Sequence, residues 1–301
     1  MDKSPYRRHD RNNFYKYMSA STAQIILKSK TLRWSSPHEF NDPFDVPREF
    51  AFGISPSELK KAVVHRFINL IENPPDNTEE LEPKLRLIVD TLKKTASQKV
   101  KAEIIAVAKS ELERAPPDES SLEKFREHWR NTIPQFRILC LCESHEVISM
   151  WYHYADKYRG AVIEFKCIDE LESALLLAKP VDYPEERPDI FTPNGLSRLL
   201  TMPKEQAIRS LMEICTYTKA PDWRYEREWR VVSFNKPNES GTASDYKLNP
   251  REFNRVFLGP LMDANEKDEI LSIVINSMPH VRVYKSKIGM DRRLNFSEIK
   301  F

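Results

Sequence analysis

The sequence predicts an α+β fold: a mixed or antiparallel sheet core that carries a helical insertion or cap lobe. Three observations point there. Short β-like runs at 14–17, 138–143, 161–165 and 228–234 mix with helices but do not alternate strictly with them. Between them, from 55 to about 131, the apolar residues recur at helical spacing. The 301 residues are 40% hydrophobic and 31% charged, a balance that supports a core under a heavily charged surface. The chain therefore reads as 1–54, the first part of the core; 55–133, a helical lobe; and 134–301, the rest of the core.

The elements follow in order. Residues 14–17 form a short strand, and Ser19 or Ser21 caps the helix after it, which buries Ile25, Ile26 and Leu27. Residues 32–35 form a second strand, leading into the turn-rich stretch 36–45. Ser55, Pro56 and Glu58 make a helix start: a cap, proline in the first turn, and a glutamate placed to close a capping box. That helix ends at Asn73 and its two prolines; a second helical run ends at Pro116 and Pro117, and a third starts at Ser120. After Pro134 the texture changes to strands at 138–143, 161–165, 181–183, 228–234 and 255–258, two β-like runs near the C-terminus, and helices at 145–155, 168–178, 204–218 and 263–276.

Composition removes several function classes. With 6 glycines, the chain has no G-x-G-x-x-G and no Walker-type loop, which argues against a dinucleotide-binding doubly wound fold and a P-loop nucleotidase. The 4 cysteines make no C-x-x-C pair and the 7 histidines no H-E-x-x-H, so no metal is expected. Cys140 and Cys142 share one strand face and read as small buried hydrophobes. A net charge of +2 is weak for a nucleic-acid binder. The charged N-terminus, without an apolar run behind it, and the lack of any ~20-residue apolar window predict a cytoplasmic protein without a membrane partner.

Three segments carry candidate chemistry. Glu226, Glu228 and Arg230 alternate, so on a strand they share one face. Paired carboxylates repel and one rises in pKa, which suits acid–base work or stabilisation of a cationic transition state. A cross-strand ion-pair ladder is the plainer alternative. Met150, Trp151, Tyr152, His153 and Tyr154 cannot all face a core, so Trp151 or His153 is expected to line a cleft, against the alternative of a broad aromatic core contact. Phe40, Asn41, Asp42, Pro43, Phe44 and Asp45 read as a tight turn.

Together these strings resemble a bacterial family of unknown function, DUF2971. The resemblance rests on Tyr15-Lys-Tyr17, Leu32-Arg-Trp-Ser-Ser-Pro37, Phe40-Asn-Asp-Pro-Phe-Asp45, Met150-Trp-Tyr-His-Tyr-Ala155, Gly160-Ala-Val-Ile-Glu-Phe165 and Trp223-Arg-Tyr-Glu-Arg-Glu-Trp-Arg230. More loosely, Tyr15-Lys-Tyr-Met-Ser19, a short helix and Ser35-Ser36 resemble the opening of ADP-ribosyltransferases, with Lys16 where a histidine is expected. Glu226 and Glu228 resemble the Glu-x-Glu pair of arginine-modifying members. That resemblance implies an ADP-ribosyltransferase-like fold that holds NAD as a substrate without a glycine-rich loop. It implies a mono-ADP-ribosyltransferase-like toxin or antiphage effector acting on an unidentified protein or nucleic acid. Glu228 would be the catalytic carboxylate, and Glu226 would orient the acceptor or share its proton. Lys16 and Tyr17 would meet the adenosine side or phosphates, with Ser35 bracing Glu228 and Ser36 beside it. Tyr154 or Trp151 would stack on nicotinamide, with His153 near. The rival readings are a non-catalytic nucleic-acid-binding module, using Arg224, Tyr225, Arg227, Trp229 and Arg230 as a strip of cations and rings, and a protein-interaction module built on the helical lobe.

Overall fold

The computed structural model describes residues 3–49, 53–95, 97–114 and 119–300. The chain divides into two compact units: a sheet unit of 1–42, 134–183 and 219–301, and a helical unit of 43–133 and 184–218.

The sheet unit opens with β1 (Asn13–Met18), α1 (Ala20–Ser29) and β2 (Thr31–Ser35). Ser19 caps α1, its side chain accepting from Thr22 N, and Lys30 ends the helix in the left-handed region. In the helical unit come α2 (Pro56–Glu72), α3 (Pro83–Thr95), α4 (Gln98–Arg114) and α5 (Glu119–Thr132). Ser55 and Glu58 close the capping box on α2, with Pro56 in the first turn. The expected break at Pro116 and Pro117 lies outside the described residues.

The sheet unit resumes with β3 (Phe136–Cys142), α6 (Ile148–His153), β4 (Ala161–Lys166) and β5 (Lys179–Pro180). The helical unit then adds α7 (Pro193–Leu200) and α8 (Lys204–Tyr217), so it draws on two stretches of chain where periodicity alone reads one. Last come β6 (Glu228–Phe234), β7 (Ala243–Lys247), β8 (Phe253–Leu258), α9 (Ala264–Ser277), β9 (Arg282–Ile288) and β10 (Leu294–Ile299).

The strands make one mixed sheet in the order β10-β9-β8-β4-β1-β3-β2-β7, with β6 on β3 and β5 on β6. β8 and β9 run parallel, and the other described pairs are antiparallel. β6 occupies one edge of β3 along its whole length, from Phe136↔Phe234 to Cys142↔Glu228. The other edge of β3 is shared: β2 meets it at Ser35↔Ile138 and β1 meets it at Tyr15↔Cys142. The sheet thus splits between β1 and β2. One face of the β3–β6 ladder carries Leu139, Leu141, Trp229 and Val231, packed into the main core with Phe14, Leu27, Trp34 and Phe165. The alternating residues Cys140, Cys142, Glu228 and Arg230 turn to the other face. Among the described residues no helix is long and apolar enough to cross a membrane.

Candidate functional site

The carboxylate pair is built differently from the strand that alternation predicts. Residues Pro221–Glu226 form a 3-10 turn, and Arg227 caps it in the left-handed region at φ 47°. β6 begins only at Glu228. Glu226 and Glu228 are therefore brought together by a reversed backbone, and the i, i+2 rule of a pleated strand does not apply across Arg227. From Glu228 onward the alternation holds, with Glu228 and Arg230 on one face and Trp229 on the other, its ring 5.3 Å from that of Phe14.

Both carboxylates are buried and converge on Lys219. Lys219 Nζ lies 2.6 Å from Glu226 Oε2 and 3.5 Å from Glu228 Oε2, and 4.6 Å from the Trp223 ring centre. The Tyr154 hydroxyl donates to Glu226 Oε1 at 2.5 Å, and Asn41 Nδ2 donates to the same hydroxyl at 3.3 Å. Glu228 is gripped by its own strand: Arg230 Nε donates to Oε1 at 2.7 Å and Nη2 to Oε2 at 2.8 Å. Arg230 is fully buried, with the Phe40 ring centre 5.4 Å from its guanidinium. Tyr183 accepts from Glu228 N at 2.9 Å through its hydroxyl.

These partners set the two acids apart. Burial and the charge of Glu228 raise the Glu226 carboxyl above its usual range, against the pull of Lys219 and Tyr154. Burial pushes Glu228 the same way, but the charge and paired hydrogen bonds of Arg230, with Lys219, outweigh it and hold Glu228 well below the usual range. Burial and the carboxylate of Glu226 also hold Tyr154 in its neutral, donating form.

The other predicted residues are distributed as follows. Lys16 sits at the split in the sheet. Its ammonium donates to the Cys140 carbonyl at 2.9 Å, on the stretch of β3 edge that neither β1 nor β2 pairs. Burial lowers its pKa, while Cys140 and Glu228 act to raise it, so Lys16 feels the carboxylate site without bonding to it. Tyr17 is core: its hydroxyl donates to the Ser144 carbonyl at 2.9 Å, and its ring meets Trp151 edge-on at 5.6 Å. Trp151 is fully buried with Nε1 donating to the His145 carbonyl at 2.7 Å, which leaves no face for a ligand. Tyr154 is the member of that aromatic run that reaches the carboxylates. His153 is exposed, 6.1 Å from the Tyr225 ring. Ser35 pairs with Ile138, which faces Val232; Val232 is four residues, about 13 Å at ~3.3 Å per residue, along β6 from Glu228, and Ser35 lies two strands across from it, so Ser35 does not reach Glu228. Ser36 is buried, its N–H donating to the Thr242 carbonyl at 2.6 Å and its hydroxyl accepting from His38 N.

Sequence reasoning misses Lys219, Tyr183 and the role of the two cysteines. Lys219 stands seven residues before Glu226 with no periodic signal to tie them. Cys142 Sγ donates to the Glu226 carbonyl at 2.9 Å, and the Cys140 thiol lies against Glu228, which with burial raises that thiol's pKa. In the ladder Cys142 faces Glu228 and Cys140 faces Arg230, so each thiol reaches its glutamate from a neighbouring position. Among the described residues no cluster of three or more His, Cys, Asp or Glu side chains could hold a metal.

The arrangement offers a carboxyl poised to exchange a proton, a fixed carboxylate, and buried cations within a few ångströms. No curated protein and no solved structure shows a significant match to the chain. Residues 150–231, the segment that holds Tyr154, Lys219, Glu226, Glu228 and Arg230, match the family described as protein of unknown function (DUF2971).

Proposed function

We propose that the chain is an NAD-consuming mono-ADP-ribosyltransferase, a toxin-like or defence-type effector that acts on a protein or nucleic acid. The observation that carries this reading is the convergence of Glu226 and Glu228 on Lys219, with the two carboxyls driven to opposite protonation behaviour. Paired titratable groups pushed apart by their surroundings are the mark of an acid–base site.

In this reading the bond from the nicotinamide nitrogen to ribose C1′ breaks, and its electron pair leaves with the now neutral nicotinamide. Positive charge develops on the ribose ring, and the fixed negative charge of Glu228 stabilises it. An acceptor oxygen or nitrogen then bonds to C1′, and its proton passes to Glu226. This shifts the proton-handling role onto Glu226, since both oxygens of Glu228 are taken by Arg230. Lys16 and Lys219 supply positive charge for a pyrophosphate. The surface strip of the binding-module reading is weakened by Arg230, which is fully buried and spent on Glu228.

The test is incubation of pure protein with NAD, with and without cell extract, following free nicotinamide. Release that falls on the order of 10²–10³-fold in Glu226→Gln supports the assignment. No release from wild type in either condition overturns it.

A further inference from the structure

Beside the carboxylates the surface carries a chain of rings. Trp223 and Tyr225 come from the turn Pro221–Glu226, and Tyr152, His153 and Tyr158 from α6 and the loop after it. Neighbouring ring centres lie 6.1 Å apart for Trp223 and Tyr225, 6.1 Å for Tyr225 and His153, 5.3 Å for His153 and Tyr152, and 6.1 Å for Tyr152 and Tyr158. Tyr152 is 48% exposed, His153 is exposed, and the other three are half-buried. Among the described residues none of the five side chains makes a hydrogen bond, so their hydroxyls, the imidazole and the indole N–H are uncommitted. The strip ends at the site: Trp223 lies over the Lys219 ammonium, Tyr225 precedes Glu226, and His153 precedes Tyr154.

Backbone geometry builds the strip. α6 turns Trp151 inward, so the next two positions, Tyr152 and His153, face outward. Asp156, Lys157 and Tyr158 then follow one another in the left-handed region, at φ 43°, 50° and 70°, with no glycine among them. L-residues disfavour that region, and such strain gathers where function holds it. Here it returns the chain onto α6. Lys157 N donates to the Tyr152 carbonyl at 3.2 Å and Tyr158 N to the Trp151 carbonyl at 3.1 Å, which brings the Tyr158 ring to Tyr152. Cations alternate with the rings along the chain. Lys157 and Arg159 flank Tyr158, Arg224 stands between Trp223 and Tyr225, and Arg227 follows; all four are exposed. Arg224 bonds the Tyr183 carbonyl and Arg227 lies 3.7 Å from Glu143, but Lys157 and Arg159 make no ion pair among the described residues. Asp156 and Asp222 are the exposed acids within these two stretches.

We propose that this strip is the docking surface for a single-stranded nucleic acid, which supplies the acceptor for the reaction proposed above. Rings with polar tips, interleaved with cations, meet the two chemistries of a single strand, its open base faces and its phosphates. A duplex hides its base faces in the stack, so the rings select against it. The cations supply locally what a net charge of +2 does not supply over the whole chain. The strip differs from the one read from sequence: Tyr225 and its neighbouring arginines belong to it, whereas Trp229 packs on Phe14 and Arg230 is buried. Binding is independent of the transferase reading, and the acceptor role rests on it.

The test uses the full chain and a fluorescein-labelled oligonucleotide of about 12 nucleotides, as single-stranded RNA, single-stranded DNA and duplex DNA, read by anisotropy without NAD. A single strand is expected to bind at least tenfold more tightly than the duplex, and the tighter of RNA and DNA identifies the sugar preferred. Tyr152→Ala combined with His153→Ala should weaken the single strand at least tenfold, and Tyr152→Phe should not. Lys157→Gln combined with Arg159→Gln should flatten the salt dependence. No single-strand binding in the micromolar range, or equal affinity for the duplex, overturns the proposal. So does a folded double alanine variant that binds as wild type does. Radiolabelled NAD then tests the acceptor role: label on the bound strand supports it, and label on protein alone overturns it. Binding without any nicotinamide release sinks the transferase reading, and the acceptor role with it, but leaves the docking surface standing.

Discussion

The turn Pro221–Glu226 and the strand that follows it carry one glutamate each, two positions apart, and treat them in opposite ways. On the turn, Glu226 is held by a neutral tyrosine and one ammonium, and its carboxyl rises. On the strand, Glu228 is chelated by a guanidinium from its own face, and its carboxyl falls. Burial is shared, so it is the partner that decides. A planar two-point cation fixes a charge, while a single ammonium shared between two acids leaves one of them able to take a proton. The backbone makes this division possible. Strand geometry presents Arg230 to Glu228 at i, i+2, whereas the left-handed Arg227 swings Glu226 out of that register towards Lys219 and Tyr154.

The largest expected effect breaks the strand half. Arg230→Met leaves Glu228 as a buried charge without its main partner and should cost roughly 3–5 kcal/mol of stability. Urea denaturation measures this, and the double variant Glu228→Gln with Arg230→Met should recover a large part of the loss. A loss under 1 kcal/mol in the single variant would mean the pair contributes little to the fold.

Glu226→Gln tests the turn half and should behave in the reverse way. Its effect falls on nicotinamide release, as set out above, and its effect on stability depends on pH. A carboxyl whose folded pKa is raised weakens the fold when ionised, so that penalty is present at neutral pH. It disappears as pH falls through the folded pKa towards the unfolded value near ~4.3. The glutamine variant should therefore match or exceed wild-type stability at pH 7, and the difference should vanish near pH 4. Glu228 runs the other way. Its depressed pKa contributes stability above the unfolded value, and that contribution is lost as pH falls through the folded one. Urea midpoints of wild type and Glu226→Gln across pH 4 to 8 check the first sign, and extending the wild-type series down towards pH 2, where the Glu228 carboxyl titrates, checks the second.

How much of this was legible depended on distance along the chain. The glutamate pair, the aromatic run and the capping box at Ser55 are local, and local spacing exposes them. The conformation of Arg227 was not legible, because a left-handed arginine carries no glycine or asparagine signal. Nor was Lys219, whose link to Glu226 comes from the path of the turn. In the aromatic run, where spacing points to Trp151 or His153 as the cleft residue, Tyr154 reaches the carboxylates and Trp151 packs in the core. Ser35 looked close to Glu228 only until the register of β2 on β3 was known.

Lys16 bears on the comparison from the side of the sheet. It lies between two tyrosines, so a pocket cation and a structural donor are both consistent with its sequence context. Its bond to the Cys140 carbonyl fills the gap that the split sheet leaves on β3. Lys16→Met should strand that carbonyl and cost about 1–3 kcal/mol. If Lys16 also serves an anionic substrate, the same variant raises the KM for NAD, and an unchanged KM would assign Lys16 to the fold alone.

The smallest effect is the sharpest on chemistry. Tyr154→Phe removes one hydrogen bond, worth about 0.5–1.5 kcal/mol, and keeps the ring. The lost donor served the ionised form of Glu226, so its removal must raise the Glu226 carboxyl further. Ionised Glu226 is the form that accepts a proton in the proposed reaction. The acid limb of the rate against pH should therefore move to higher pH in Tyr154→Phe, while the rate on the plateau changes little. A purely structural tyrosine would lower the rate or the melting temperature and leave that limb in place. A limb that moves to lower pH would show that Tyr154 instead favours the protonated acid, and would reverse the direction of proton transfer assigned to the turn.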